Sequence, residues 1–146
     1  MNLRDLLRFK AAGGSGGDGN LLRVAQDNEK RMNDSWQHWE TVNKTVVIDG
    51  QARGGYYATV QPNTDYTFSW EADFGDSTSF AMRVWKNPTD SSLGTLVVDQ
   101  SNIHEKTFNI ESESADPITI VCGFYCGSTF GQAGRKLEKL TLVKVS

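Results

Sequence analysis

The chain has 146 residues, a formal charge of −3 and a sequence pI near 5.3, a length that suits one domain with an appendage. Its mild acidity argues against a nucleic-acid groove or a polybasic membrane surface. No apolar run approaches the roughly 18 residues that span a bilayer.

The first twenty residues differ in charge from the rest. They carry three basic and two acidic side chains, against twelve and sixteen in the remainder. Leu3, Leu6, Leu7 and Lys10 fall at i, i+3, i+4 and i+7 of one helical face, with Arg4, Asp5 and Arg8 elsewhere on the wheel. Asn2 suits an N-cap and Asp5 the positive end of the helix. A helix of about nine residues does not persist alone in water. The spacing therefore predicts an anchoring peptide over residues 1–12 that lies on something through Leu3, Leu6, Leu7 and Phe9. Asp5 and Arg8 interrupt any secretory h-region. Residues 13–19, GGSGGDG, have linker composition. They lack the Lys-Ser/Thr ending of a phosphate loop.

From residue 20 to the end the sequence predicts one β domain. Period is poor between 20 and 43, where a short helical turn and a first strand followed by a loop fit equally well. Strands are expected at 44–49, 56–61, 65–72, 79–86, 95–99, 106–111, 117–126 and 137–145, separated by turns such as DGQARGG, QPNTD, KNPTDSSLG and SESADP. DYTFSWEA places Tyr66, Phe68, Trp70 and Ala72 on one face. Phe68 and Trp70 compete for the core in this reading, which gives the place to Trp70 beside Tyr66. Many short, half-buried strands at this spacing mean an antiparallel sandwich or barrel.

Chemistry-bearing motifs are few. Cys122 and Cys126 share a strand; four positions apart they lie about 13 Å from each other, beyond the roughly 7 Å that a disulfide spans. They read as two buried core thiols, with a bridge to another chain as the alternative. Their spacing is not that of a zinc site. His38 and His104 sit in no catalytic or metal signature, and no cofactor is expected. The carboxylates in ESES, residues 111–114, read as a solvated corner. Asp73 and Asp76 offer oxygens to a calcium ion, against the simpler reading of a plain turn.

Aromatic residues are more informative. Trp85 and Tyr125 fall on the faces opposite their strands' apolar rows, and Trp36, Trp39, Tyr56 and Tyr57 lie in or beside loops. Flat rings beside polar groups form a sugar platform, the ring stacking on the apolar face of a pyranose while side chains bond its hydroxyls. Trp36, Trp39, Tyr57, Arg83, Trp85 and Tyr125 are the candidate glycan-binding set. Packing of sheet against loop, or a subunit interface, uses the same residue types.

GNLL at the start of the domain, a loop Trp at 36, GYYATVQPNTDYTFSWEAD, KTFNI, ITIVCGF and the closing RKLEKLTLVKV follow one another in an order that resembles jelly-roll, carbohydrate-binding-module-like domains of bacteriophage tail, fibre and baseplate proteins. The resemblance covers about residues 20–145. It implies an antiparallel jelly-roll β-sandwich and a non-catalytic virion structural or decoration protein, assembled in the host cytoplasm. The implied partners are other virion proteins, further copies of the chain and, in a second reading, a host-surface glycan. The family's binding residues vary, so none carries over to a numbered position here. A small β-sandwich hydrolase or isomerase is the third possibility, and it needs His38 or His104 to converge with carboxylates.

Overall fold

The computed structural model describes residues 19–23, 37–39, 44–48, 52–72, 80–89, 92–126 and 135–145. The expected anchoring peptide, residues 1–12, and all of the expected linker but Gly19 lie outside these residues. Nine strands are present among the described residues: β1 (Gln37–Trp39), β2 (Val46–Ile48), β3 (Ala52–Val60), β4 (Asp65–Ala72), β5 (Phe80–Lys86), β6 (Thr95–Ser101), β7 (Glu105–Asn109), β8 (Ile118–Cys126) and β9 (Arg135–Lys144). They form two sheets, ordered β1-β2-β9-β4-β7 and β3-β8-β5-β6. Every pairing is antiparallel.

The two sheets bury one shared cluster, which makes the arrangement sandwich-like. Tyr56, Val60, Met82, Ile120 and Phe124 enter it from one sheet, and Val46, Phe68, Phe108 and Leu142 from the other. Strand alternation sets this up in β4, where Tyr66, Phe68 and Trp70 point inward and Asp65 and Glu71 face solvent. Phe68 and Trp70 are both buried, with rings in edge contact at 5.7 Å. The expected competition between them does not arise, because residues two apart in a strand share a face and stack along it.

β9 departs from simple alternation. Leu137, Leu140 and Leu142 are all fully buried, although Leu137 and Leu140 have opposite parity. A bulge resolves this. Ser69 pairs with Thr141 but Glu71 pairs with Glu138, so β9 carries one extra residue there. Lys139 supplies it with a left-handed φ of 55°, which flips the inward face.

The segment opening the domain closes the edge between the sheets. Leu21 donates its N–H to the Leu142 carbonyl of one sheet, and Arg23 exchanges two backbone hydrogen bonds of 2.8 Å with Tyr57 of the other. Leu22, between them, is buried in the shared core. Asn20 is the hinge pin. Its Nδ2 donates to the Leu140 carbonyl at 2.9 Å, and its Oδ1 accepts from the N–H groups of Leu142 and Leu22.

Cys122 and Cys126 stand as separate thiols with no exposed surface. Neither can bridge another chain without opening the core.

Candidate functional site

The outer face of the four-stranded sheet gathers four of the candidates, Tyr57, Arg83, Trp85 and Tyr125. Register places Arg53, Tyr125, Ala81 and Ser101 side by side in one row. The next row is Gly55, Gly123, Arg83 and Asp99, and the third Tyr57, Val121, Trp85 and Leu96.

Tyr57 and Trp85 do not offer open ring faces. Their relative exposures are 1% and 5%, and with Val121 and Leu93 they form a second small core on this outer face. The alternation turns Trp85 away from the shared core as expected, whereas Tyr57, expected in or beside a loop, stands within β3 and faces the same way. What covers them arrives from elsewhere: Leu93, between β5 and β6, packs into the cluster, and the Arg23 guanidinium lies 5.4 Å from the Tyr57 ring centroid. Neither residue has the access that a glycan platform requires.

Arg83 and Tyr125 are better placed. The Arg83 guanidinium sits 4.2 Å above the Tyr125 ring centroid. Its Nε and Nη2 donate to the two carboxylate oxygens of Asp99 at 3.0 and 3.3 Å. This fork-to-fork geometry fixes the guanidinium plane, and the plane in turn braces the ring. Arg53, exposed and directly opposite Tyr125 on β3, adds a cation to the same row. Gly55 and Gly123 face each other below it, because β3 and β8 approach too closely for side chains: a Cβ on Gly123 would lie 1.8 Å from the Gly54 carbonyl oxygen. The result is a surface with one cation in excess, Arg83 being paired with Asp99 and Arg53 adding a second positive charge. It suits stacking and hydrogen bonding to a neutral or anionic ligand.

No family model matches the chain, and no curated protein matches it.

The other candidates are dispersed. Trp39 and His38 stand in the edge strand β1. Trp36, Asp73, Asp76, Leu3, Leu6, Leu7 and Phe9 lie outside the described residues. Among the described residues no group of three or more His, Cys, Asp or Glu is placed to hold a metal ion. His104 is exposed at the β6–β7 turn, where its carbonyl accepts the Trp70 N–H at 3.0 Å. The ESES corner is exposed and borders an open polar depression lined by Asn63, Asn109, Glu111, Ser112 and Glu113. Asn63 is consumed there in holding the turn, bonding the Ser112 carbonyl and N–H. Cys122 makes a poor nucleophile, since burial alone pushes its thiol far above the ordinary range.

Sequence reasoning did not identify Asp99 or Arg53 as site residues. Asp99 meets Arg83 only because a register shift in the β5–β6 pair adds a residue to β6 between Leu96 and Val98. No local sequence signal announces it.

Proposed function

We propose that this chain is a non-catalytic jelly-roll module of a bacteriophage particle, attached to other virion proteins through residues 1–12 and displaying its β domain outward, in several copies. The strand order carries this reading. With β1 set aside, the sheets run β2-β9-β4-β7 and β3-β8-β5-β6, an order that supports reading them as the two Greek keys of an eight-stranded jelly roll. That is the architecture implied by the resemblance of the sequence to phage tail, fibre and baseplate domains. The clamp at Asn20 supports the anchoring part, since a tether emerging before it pulls on β9 at the centre of a sheet. Repeated copies on a particle then add avidity. No cofactor is called for.

Deletion of residues 2–12 tests the proposal. The truncated protein is expected to fold and to be lost from particles; normal incorporation into particles would remove the anchor.

A second reading, host-surface glycan binding, is supported by the braced Arg83–Tyr125–Asp99 group beside Arg53. A glycan array with the intact protein and with Tyr125→Ala decides it. Binding lost on substitution favours it, and an array with no bound sugar removes it.

A further inference from the structure

The opposite outer face, on the five-stranded sheet, has a different character. Register gives three rows across β7, β4 and β9: Asn109–Asp65–Val145, Thr107–Thr67–Val143 and Glu105–Ser69–Thr141. These nine positions hold no aromatic ring and no Lys or Arg. Thr67 and Thr107 hydroxyls bond each other at 2.7 Å, and Asn109 donates to the Asp65 carboxylate at 2.8 Å, so the polar groups are largely turned on one another. Val145 is 43% exposed, and Leu21, alongside β9, is 41% exposed. The face is made mostly of short side chains and carries the carboxylates of Asp65 and Glu105. At its margin Lys139 and Glu71 pair with each other at 3.6 Å.

We infer that this face is a docking surface for the chain's own leader, residues 1–12. Place and length argue for that occupant. The described chain starts at Gly19, two residues before Leu21, which stands at the side of the face. Seven linker residues, 13–19, reach about 23 Å when extended. The neighbouring strands β9, β4 and β7 span only about 10 Å at a spacing near 4.8 Å. Tethering at that distance gives an effective concentration of about millimolar, which populates even a weak contact. Chemistry matches as well. The leader joins an apolar row, Leu3, Leu6, Leu7 and Phe9, to the cations of Arg4, Arg8 and Lys10, and the face joins exposed aliphatic positions to two carboxylates. A second copy of the face is a worse partner, because it brings like charges together.

Under the virion reading, this contact in the free protein would cover the row that attachment to a particle uses, sheltering the leader until a competing surface takes it. The docking concerns the isolated chain and stands or falls apart from the virion reading. Loss of particle incorporation on deletion speaks only to the latter.

The test is paramagnetic broadening in the full chain. A nitroxide on Ala11→Cys labels one site, since Cys122 and Cys126 are buried. Amide signals of Thr67, Thr141 and Val143 are expected to lose intensity, while Thr59 and Ser101 of the other sheet keep theirs. The loss should disappear with Leu6→Asp/Leu7→Asp, which leaves the β domain untouched, and with Thr67→Lys at unchanged melting temperature. Absent or uniform broadening overturns the inference. So does broadening of an isotope-enriched unlabelled protein by a labelled partner copy, which assigns the contact to a second chain.

Discussion

Asn20 and Leu142 lie 122 positions apart, and the Leu142 N–H is held by the Asn20 Oδ1 at 3.0 Å. With the bond from Nδ2 to Leu140, one side-chain amide satisfies a carbonyl and an N–H on the same edge of β9, just past its bulge. Asn20→Ala orphans partly buried donors and a carbonyl, and each unsatisfied group costs about 1–3 kcal/mol. A loss of about 2–3 kcal/mol in urea unfolding is expected. Asn20→Asp keeps the acceptor but sets a carboxylate against the Leu140 carbonyl, and it should fall between the two. A change inside the roughly 0.5 kcal/mol scatter of surface substitutions would show that the clamp is ornamental.

Gly55 and Gly123 occupy facing positions of β3 and β8. A Cβ on Gly55 would lie 2.2 Å from the Cys122 carbonyl oxygen, and one on Gly123 would lie 1.8 Å from that of Gly54. Both obstacles are backbone, so no rotamer relieves them. Gly123→Ala is expected to cost about 3 kcal/mol or more, the range reached by strained or overpacked core positions. Soluble yield and thermal melting read it directly. A protein melting like wild type would mean that the strands separate freely here.

Much of this architecture follows from alternation visible in the sequence. DYTFSWEA announces β4 and its inward face, and ITIVCGFYC does the same for β8. β9 was legible as a strand but not in its facing, because its inward row changes parity at Lys139, and lysine gives no warning of a left-handed turn as glycine or asparagine does. The site was legible only in part. Period two shows that Trp85 leaves the main core, but Tyr57 reads as lying in or beside a loop although it stands in β3, and the cover of the two by Leu93 and Arg23 is a tertiary event. Asn20 illustrates the same limit. Its partners are fixed by how the chain returns after more than a hundred residues.

That difference in cover separates two aromatic substitutions. Trp85→Ala empties a packed site and is expected to cost about 3–5 kcal/mol. Tyr125 is half-buried with Arg83 on its ring, so Tyr125→Ala should cost only about 1 kcal/mol. Under the glycan reading, Tyr125→Ala therefore loses binding while staying folded. Chemical denaturation of both variants, run beside the array, checks the pair. Equal destabilisation of the two would contradict the difference between the buried Trp85 ring and the half-buried Tyr125 ring.

Asp99 offers a milder case. It holds Arg83 by two hydrogen bonds, yet its side chain is 45% exposed, and exposed ion pairs contribute about 0–1 kcal/mol. Asp99→Asn should leave stability within about 1 kcal/mol of wild type while loosening the guanidinium over Tyr125. Fluorescence anisotropy and quenching by iodide at Tyr125 do not isolate one ring among so many, so NMR of the Arg83 Nε–H is the better readout. That proton is expected to shift and to exchange faster with solvent. An unchanged, slowly exchanging signal would show that Asp99 does not fix the plane.

Burial of Cys122 gives stability a dependence on alkaline pH. Desolvation raises its folded-state value well above the ordinary 9.0. Below pH 9 the thiol is protonated in both folded and unfolded chains, and its contribution is complete. Above that, the unfolded chain releases the proton while the folded chain keeps it, so stability falls as pH rises, by up to about 1.4 kcal/mol per pH unit. Tyrosines and lysines titrate nearby, so the comparison is with Cys122→Ala rather than with neutral pH. The stability gap between wild type and Cys122→Ala should be constant from about pH 7 to 8 and narrow by about 1.4 kcal/mol near pH 10. Parallel curves across that window would mean that the thiol is solvated in the folded chain, against its complete burial between the sheets.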